Sequence, residues 1–310
     1  MLLQRQAVLV GFAPCAGQEA AQVGSAAALD PARDFAFPTY RDVGVAVTLG
    51  VDPAAMLAHH RGFADGGGFD GLAARVAPIN SVVGGTALHA AGFAMGAKLD
   101  GTGGCAIAYF GEGGSSQGEV HEAMNFASVF ELPVVFFCQN NQWAISVPAS
   151  RQVGGGSVAA RAAGYGLAGA QVDGNDVVAV YEATAAAIER GRSGGGATVI
   201  EALTYRLGPH ATSDDPSRYR SGEEEAAWRE REPLVLARRR LLETGEADQA
   251  WFGEVDREVE AEVELVRARV AELVPPPFED QLALVFERPP ASALAAARAW
   301  LDRNRLVEES

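Results

Sequence analysis

The chain has few cysteines, and this scarcity excludes a disulfide framework. Three cysteines occur in 310 residues, and Cys15, Cys105 and Cys138 share no metal-ligand spacing. Cys105 and Cys138 lie in apolar runs that are typical of strands, where buried, reduced thiols are the expected state. We therefore expect neither a disulfide scaffold nor a cysteine metal site.

Long apolar runs and an excess of positive charge are also missing. No window approaches the roughly 18 consecutive apolar residues that a membrane helix requires, and residues 1–20 lack a basic segment followed by a long apolar one. Lys and Arg number 25 against 40 Asp and Glu, a formal net charge of −15, so most of the surface would repel nucleic acid. We expect a cytoplasmic protein with no membrane or nucleic-acid partner.

The chain does have enough apolar residues for a sizeable core, at 48% of its composition. Its middle part predicts a strand over 105–110, a helix over 119–131 and a second strand over 134–138, which is the order of a β-α-β unit in a parallel sheet. Ser115 or Ser116 is available as the N-cap of that helix. The pattern favours the α/β class.

The remaining pattern divides the chain at residue 222. Further helices are predicted over 17–29, 84–97 and 176–192, and a further strand over 197–205. A polar, turn-rich loop follows, and residues 223–245 and 247–273 then predict long amphipathic helices rich in Glu, Arg, Ala and Leu. We predict an α/β domain over residues 1–222 and a helical extension over residues 223–310, packed on that domain and on a subunit interface.

Polar residues follow both strands of the β-α-β unit. Glu112 lies in the glycine-rich turn at residues 111–114, and Asn140 and Asn141 lie in the loop after the second strand. Both strands run the same way, so their following loops lie side by side at the sheet edge where α/β proteins bind ligands. A carboxylate and an amide oxygen are an incomplete shell for Mg²⁺, which takes six oxygens and draws several from water and phosphate. The pair therefore indicates a metal–diphosphate site.

Each of these signals is weak alone, because a Gly-x-Gly turn and an Asn-Asn pair are common in loops. Together they match the thiamine-diphosphate motif, an acid between glycines followed about thirty residues later by Asn-Asn. The chain carries no lysine-bearing P-loop, which favours such a cofactor over ATP.

With the stretches GQEAAQVGSAAALD, PTYRDVGV and TYRLGPHATSDDPSRYR, the chain resembles the alpha subunit of the decarboxylating first component of 2-oxoacid dehydrogenase complexes. The resemblance covers about residues 4–225 and continues loosely to the end. It implies a parallel-sheet thiamine-diphosphate-binding fold with helices on both faces. Glu112 and the phrase TSDD are more similar to the branched-chain (2-oxoisovalerate) members than to the pyruvate members, which usually carry Asp in the first motif.

The resemblance implies a Mg²⁺ site made by Glu112, the side chain of Asn141 and the backbone carbonyl of Trp143, with two diphosphate oxygens. Gly113 and Gly114 would offer backbone contacts to the same diphosphate. Thiamine diphosphate and Mg²⁺ are thus the expected cofactors.

The resemblance also assigns residues outside that motif. Tyr40 and Arg41 match the pair that binds the diphosphate from the far side, where a guanidinium fork suits phosphate oxygens. Ser81 and Val83 align with residues whose backbone supports the aminopyrimidine ring. His210 falls on the family's loop histidine, and with a pKa near 6.5 it would serve in proton transfer and in the reaction with the lipoyl group.

A potassium ion and the partners are further implications. Branched-chain members often bind K⁺ after the serine, but Gly85 and Thr86 stand where side-chain oxygens are expected, so this site stays open. The activating glutamate would come from a separate beta subunit in an alpha2beta2 heterotetramer, so the isolated chain is expected to be inactive. The acyl group would pass to the lipoyl domain of the acyltransferase, the second component.

Two alternatives stay open at this point. Within the same class, the small-molecule substrate could be pyruvate or acetoin in place of a branched-chain 2-oxoacid. In another class, the chain could be a non-catalytic scaffold paralogue that binds a partner subunit and holds no cofactor.

Overall fold

The computed structural model describes residues 9, 11–61, 69–274, 282 and 285–308. The strands of the described chain are β1 (Phe35–Phe37), β2 (Ala106–Gly111), β3 (Val134–Asn140), β4 (Trp143–Ala144), β5 (Val147–Pro148), β6 (Ala168–Asp173) and β7 (Thr198–Leu203). Within the described residues, one sheet has the order β1-β2-β3-β7-β6, and all of its pairings are parallel. β4 and β5 form a separate antiparallel hairpin. The predicted α/β class is confirmed.

Helices connect and cover these strands. The α-helices are α1 (Glu19–Ala27), α2 (Val43–Thr48), α3 (Pro53–His59), α4 (Gly71–Ala74), α5 (Thr86–Asp100), α6 (Gly118–Val129), α7 (Ala149–Gln152), α8 (Val177–Arg192), α9 (Gly222–Arg229), α10 (Pro233–Thr244), α11 (Gln249–Glu272) and α12 (Ala291–Glu308). Short 3₁₀ helices span Gly114–Ser116, Ala159–Tyr165 and Pro216–Arg218. None of the helices in the described part of the chain has both the length and the apolar character of a membrane span.

The sheet is covered on both faces, as the resemblance implies. Alternate residues of β2 take part in two different cores: Ala108 and Phe110 pack with α5 and α6, whereas Ile107 and Tyr109 pack with α1 and α8. A strand buried on both faces needs apolar residues at successive positions, which explains the continuous apolar runs of β2 and β3. These two strands lie inside the sheet and carry the two loops of the thiamine motif.

The C-terminal helices pack on the α/β part of the chain. Val266 and Val270 of α11 form a small core with Ala54 of α3, and Arg269 pairs with Asp52 at the start of α3. The division into two domains at residue 222 stays a prediction. The prediction of a single helix over 223–245 is wrong, because the first helix ends with α9 and a second helix, α10, begins at Pro233. Proline is favourable at the first position of a helix.

Candidate active site

A cavity of about 630 Å³ opens at the carboxyl ends of β2 and β3. This is the position at which a parallel sheet offers a ligand crevice. Every residue that the sequence predicts for the site lines it: Tyr40, Arg41, Ser81, Val83, Glu112, Gly113, Gly114, Asn141, Trp143 and His210. Segments as far apart in the chain as residues 40 and 210 thus come together around one cavity.

Glu112 is the buried acid of this cavity, with only 1% of its surface exposed. The backbone N–H of Asn141 donates to its Oε2 at 3.2 Å, whereas Oε1 is buried and has no hydrogen-bond partner among the described residues. Burial raises the pKa of Glu112 to about 7, although backbone N–H groups, Arg206 and Arg41 act in the opposite direction. A buried carboxylate oxygen without a hydrogen-bond partner is unfavourable unless a cation or another donor contacts it, so Oε1 is suited to bind a cation.

The two glycines after Glu112 are closely packed: Gly113 has no room for a side chain and Gly114 has little. A Cβ at Gly113 would lie 2.7 Å from the Cβ of Ala144, and one at Gly114 would lie 3.3 Å from the Cβ of Phe110. The turn therefore presents bare backbone to the cavity.

The predicted cap of the helix after this turn is wrong. Helix α6 begins at Gly118, and its N-cap residue Gln117 makes no side-chain cap bond. Ser115 and Ser116 lie two residues and one residue before that N-cap, in a 3₁₀ helix. The Ser115 hydroxyl donates to the Glu112 carbonyl at 2.5 Å. The serine therefore stabilises the turn that carries the acid.

The loop after β3 brings the second predicted ligand to the same place. Asn141 donates through Nδ2 to Gln18 Oε1 at 3.1 Å, and its Oδ1 accepts the Trp143 N–H at 3.2 Å. Gln142 and Ile145 have positive φ angles of 71° and 56°, which non-glycine residues rarely adopt and which cluster at functional sites. The loop thus holds a strained backbone around Trp143.

The Trp143 carbonyl already accepts a hydrogen bond from Nη1 of Arg206 at 2.8 Å. A carbonyl oxygen has two lone pairs, so one remains for another donor or a cation. No cluster of three or more His, Cys, Asp or Glu residues that could hold a metal occurs in the described residues. The predicted ligand set of one carboxylate, one amide oxygen and one carbonyl oxygen stays a prediction.

Arg41 and His210 contact each other across the cavity. Nη2 of Arg41 donates to the His210 carbonyl at 2.9 Å and lies 3.0 Å from Nδ1 of its ring, while Nη1 donates to the Pro14 carbonyl at 2.8 Å. A guanidinium can only donate, so Nδ1 accepts and the ring proton lies on Nε2.

The expected pKa of His210 is wrong. Burial, followed by the positive charges of Arg41 and Arg206, lowers the pKa of His210 to about 4, although Asp214 acts in the opposite direction. At neutral pH the ring is therefore neutral. It can still donate the proton on Nε2, but it does not carry the positive charge that a pKa near 6.5 would allow at slightly acidic pH.

A network of amides and one acid, which the sequence reasoning missed, fixes the Tyr40–Arg41 turn. Gln139 at the end of β3 donates to Asp42 Oδ1 at 2.6 Å and accepts from Gln22 Nε2 at 3.1 Å. Asp42 in turn accepts the Thr39 N–H at 2.6 Å. The missed signal is a glutamine on the buried, small-residue face of α1, since a buried amide must find partners.

Ser81 and Val83 lie at the open side of the cavity, where Val83 keeps 44% of its surface exposed. Gly84 has a φ of +86°, and a Cβ there would lie 2.8 Å from the Cβ of Gln117. The Thr86 hydroxyl donates to the Tyr109 carbonyl at 2.8 Å and is buried. These contacts give the potassium ion no further support.

A parallel α/β sheet with an acid and an amide at neighbouring strand ends is the arrangement expected of a thiamine-diphosphate-dependent enzyme. Residues 1–277 match the family described as "Dehydrogenase E1 component", and the chain belongs to this family. The family resemblance predicted from the motifs is confirmed, and thiamine diphosphate is the cofactor that membership implies.

Curated relatives agree with this assignment. The chain is 45% identical over 272 residues to the 3-methyl-2-oxobutanoate dehydrogenase subunit alpha of Mycobacterium tuberculosis, an alignment of 88% of this chain and 72% of that protein. It is 40% identical over 269 residues to the 2-oxoisovalerate dehydrogenase subunit alpha of Bacillus subtilis, covering 82% and 81%. It is also 43% identical over 259 residues to the pyruvate dehydrogenase E1 component subunit alpha of Staphylococcus epidermidis, covering 83% and 68%.

Proposed function

We propose that this chain is the alpha subunit of a dehydrogenase that decarboxylates branched-chain 2-oxoacids with thiamine diphosphate and transfers the acyl group to a lipoyl domain. The observation that carries the proposal is the bare, buried Oε1 of Glu112 in a cavity that also contains Asn141 and Arg41. An unpaired carboxylate oxygen beside a guanidinium suits a cation and a diphosphate bound together.

Mg²⁺ is the cation that fits these donors. Glu112, the side chain of Asn141 and the Trp143 carbonyl supply three oxygens, and diphosphate oxygens with water would complete six. The raised pKa of Glu112 means that Mg²⁺ would replace a proton that burial favours. A second buried atom of the cavity, Nε2 of Gln18, has no partner among the described residues and offers a donor for an anionic oxygen.

The remaining predicted residues bind and orient the cofactor. Arg41 offers a fork of donors to the diphosphate, with Tyr40 beside it, and the bare backbone of Gly113 and Gly114 allows the diphosphate a close approach. The backbone at Ser81 and Val83 supports the ring at the open side. When bound, thiamine diphosphate supplies a carbanion and an electron sink for decarboxylation.

His210 is the proton carrier that the chain contributes. Its Nδ1 is occupied by Arg41, and its backbone N–H donates to Asp214 at 2.7 Å, so the ring is fixed with its Nε2 proton available. A neutral imidazole in this position can donate a proton to the thiolate that forms when the lipoyl disulfide opens, and it can recover a proton from the substrate-derived hydroxyl group as the acyl group is transferred.

A beta subunit is the first partner that the cavity requires. Val83 and Ile145 line it and remain 44% and 55% exposed, although apolar side chains around a polar site are stabilised when another surface covers them. We expect an alpha2beta2 heterotetramer, in which the beta subunit supplies the activating glutamate, and a lipoyl acyltransferase as second component. The cytoplasmic location stays a prediction.

The substrate preference is tested with the chain co-expressed with its beta subunit. One or two methylene groups change discrimination by only about 1 to 3 kcal/mol each, so pyruvate and acetoin must be assayed beside 2-oxoisovalerate. We expect the highest kcat/KM for 2-oxoisovalerate. A higher value for pyruvate or acetoin would overturn the branched-chain assignment and leave the enzyme class intact.

The cofactor site is tested by calorimetric titration of the same complex with thiamine diphosphate in Mg²⁺. Glu112→Gln should abolish tight binding, because an amide oxygen is a poor replacement for a charged metal ligand. Glu119→Gln removes a charge from helix α6 outside the cavity lining and should bind normally. Unchanged affinity of Glu112→Gln would remove that residue from the site, and no binding by the unaltered complex would favour the scaffold alternative.

A further inference from the structure

A second buried glutamate lies beneath the candidate site. Glu201 is on β7, where it pairs in register with Cys138 of β3, and none of its surface is exposed. It does not line the cavity. A buried carboxylate is costly unless its oxygens are satisfied, so its contacts indicate what it does.

Uncharged donors surround Glu201. Asn140 Nδ2 donates to its Oε1 at 2.8 Å, and the Ser157 hydroxyl and the Ala159 N–H donate to Oε2 at 2.6 and 3.1 Å. Gln171 Nε2 donates to the same oxygen at 3.2 Å. Burial raises the pKa of Glu201, but the hydrogen bonds from Ser157, Asn140 and the backbone outweigh it, so the pKa lies below its ordinary value. Glu201 is therefore an anion that organises its donors.

One set of contacts runs from Glu201 to the loop of Asn141. The Asn140 side chain, held by Glu201, accepts through Oδ1 from both the backbone N–H and Nε2 of Gln142, each at 3.2 Å. Gln142 Nε2 also donates to the Asn140 carbonyl at 3.2 Å. These bonds close the turn on both sides of Asn141 and hold Gln142 in its left-handed conformation.

The other set runs to the loop of Glu112. Ser157 and Ala159, both bound to Glu201, lead into the 3₁₀ helix Ala159–Tyr165. Arg161 of that helix donates through Nη1 to the Ser115 carbonyl at 2.8 Å and to its hydroxyl at 2.9 Å. The Ser115 hydroxyl then donates to the Glu112 carbonyl at 2.5 Å.

We propose that Glu201 is a positioning residue that sets the spacing between the loops of Glu112 and Asn141 to the size of Mg²⁺. This inference rests on the proposed function of those two residues as metal ligands. The Glu201 carboxylate is connected to both loops by hydrogen bonds, to one through Asn140 and to the other through the segment of Arg161. Mg²⁺ demands near-ideal geometry at about 2.0–2.1 Å, whereas Ca²⁺ accepts about 2.3–2.6 Å with variable geometry. Weakening these hydrogen bonds should therefore impair the binding of Mg²⁺ more than the binding of Ca²⁺.

The test uses Glu201→Gln in the complex of this chain with its beta subunit. The amide keeps the shape of the carboxylate but replaces one acceptor oxygen with a donor, so one group of contacts loses its acceptor. The measured quantity is the metal concentration that half-saturates thiamine-diphosphate binding in calorimetry. We expect it to rise about 10- to 100-fold for Mg²⁺, the range found when second-shell partners are removed, and less for Ca²⁺.

Two further variants separate positioning from general loss of structure. Arg161→Met cuts only the contact to Ser115 and should also raise the Mg²⁺ requirement more than the Ca²⁺ requirement. The fold-change in the double variant should be smaller than the product of the two single fold-changes, because both substitutions act through the same set of hydrogen bonds. Gln171→Ala removes a donor from Glu201 that contacts neither loop, and it should leave both requirements unchanged.

Equal rises for Mg²⁺ and Ca²⁺, or no rise, would overturn the inference. If Glu201→Gln does not fold, the same comparison on Arg161→Met decides. The proposed metal site fails separately, if Glu112→Gln still binds the cofactor tightly. Loss of binding in Glu112→Gln together with an unchanged Glu201→Gln would refute the positioning role alone.

Discussion

Glu112→Gln should stabilise the cofactor-free protein while it destroys the proposed metal site. The wild-type acid is buried with one oxygen bare, so its charged form is disfavoured in the folded state. Glutamine has almost the same shape and no charge, and it can accept the same backbone N–H of Asn141. The variant therefore keeps the packing and removes the cost of a buried anion.

The size and sign of this effect follow from the pKa. Folding raises the pKa of Glu112 from 4.5 to about 7, which corresponds to at most about 3 kcal/mol. Because the folded pKa is the higher one, the stability that Glu112 contributes is fully present below pH 4.5 and is lost as the pH rises through about 7. The stability of the variant relative to the wild type should therefore increase between pH 4.5 and about 7 and stay constant at higher pH.

The assay is thermal unfolding of the cofactor-free complex with its beta subunit, in EDTA and at one protein concentration. The melting temperatures of wild type and Glu112→Gln should nearly coincide at about pH 4 and differ clearly at about pH 8, with the variant higher. Glu260→Gln removes an exposed charge from α11 and serves as the control. A difference that does not change with pH, or a wild type that is more stable at about pH 8, would refute the reasoning.

Two other predictions concern neighbouring residues. Arg41→Leu removes a guanidinium that, after burial, lowers the pKa of His210 to about 4; the pKa should rise part of the way to 6.5 in an NMR titration of labelled histidine, and an unchanged value would mean that burial alone sets it. Gly113→Ala places a Cβ 2.7 Å from the Cβ of Ala144 and should weaken thiamine-diphosphate binding at least about tenfold, since the two loops must move apart. Gly118→Ala, where a Cβ meets nothing within 4 Å, should bind normally, so equal affinities would contradict the steric argument.

The inner strands could be predicted because burial on both faces imposes a pattern. The predicted strand over 105–110 is β2 (Ala106–Gly111), and that over 134–138 is β3 (Val134–Asn140). Within the five-stranded sheet, the pattern missed β1 and β6, which are its two edges. β1 has three residues, too few to show a period, and β6 has exposed residues at alternate positions with small or polar side chains. Edge strands do not need continuous apolar runs.

The candidate site could be predicted as far as its spacing reflects one β-α-β crossover. Glu112 and Asn141 follow adjacent strands, and the topology alone brings them together. The supporting contacts could not be predicted, because they join residues without a local period: Gln139 and Asp42 are 97 positions apart, and Asn140 and Glu201 are 61 apart. Two signals were available: the glutamine on the buried face of α1 and the acid within the apolar strand TVIEAL.

The two buried glutamates show why burial alone does not identify a ligand. Glu112 and Glu201 are 1% and 0% exposed, yet the pKa of Glu112 is raised and that of Glu201 is lowered. The difference lies in the donors, because every oxygen of Glu201 is hydrogen-bonded whereas Oε1 of Glu112 is not. A carboxylate whose oxygens are all hydrogen-bonded can hold the donor groups around it in place. A carboxylate with an unpaired oxygen can still bind a cation. This difference supports the two proposals made above, that Glu201 positions the two loops and that Glu112 is a ligand of the cation.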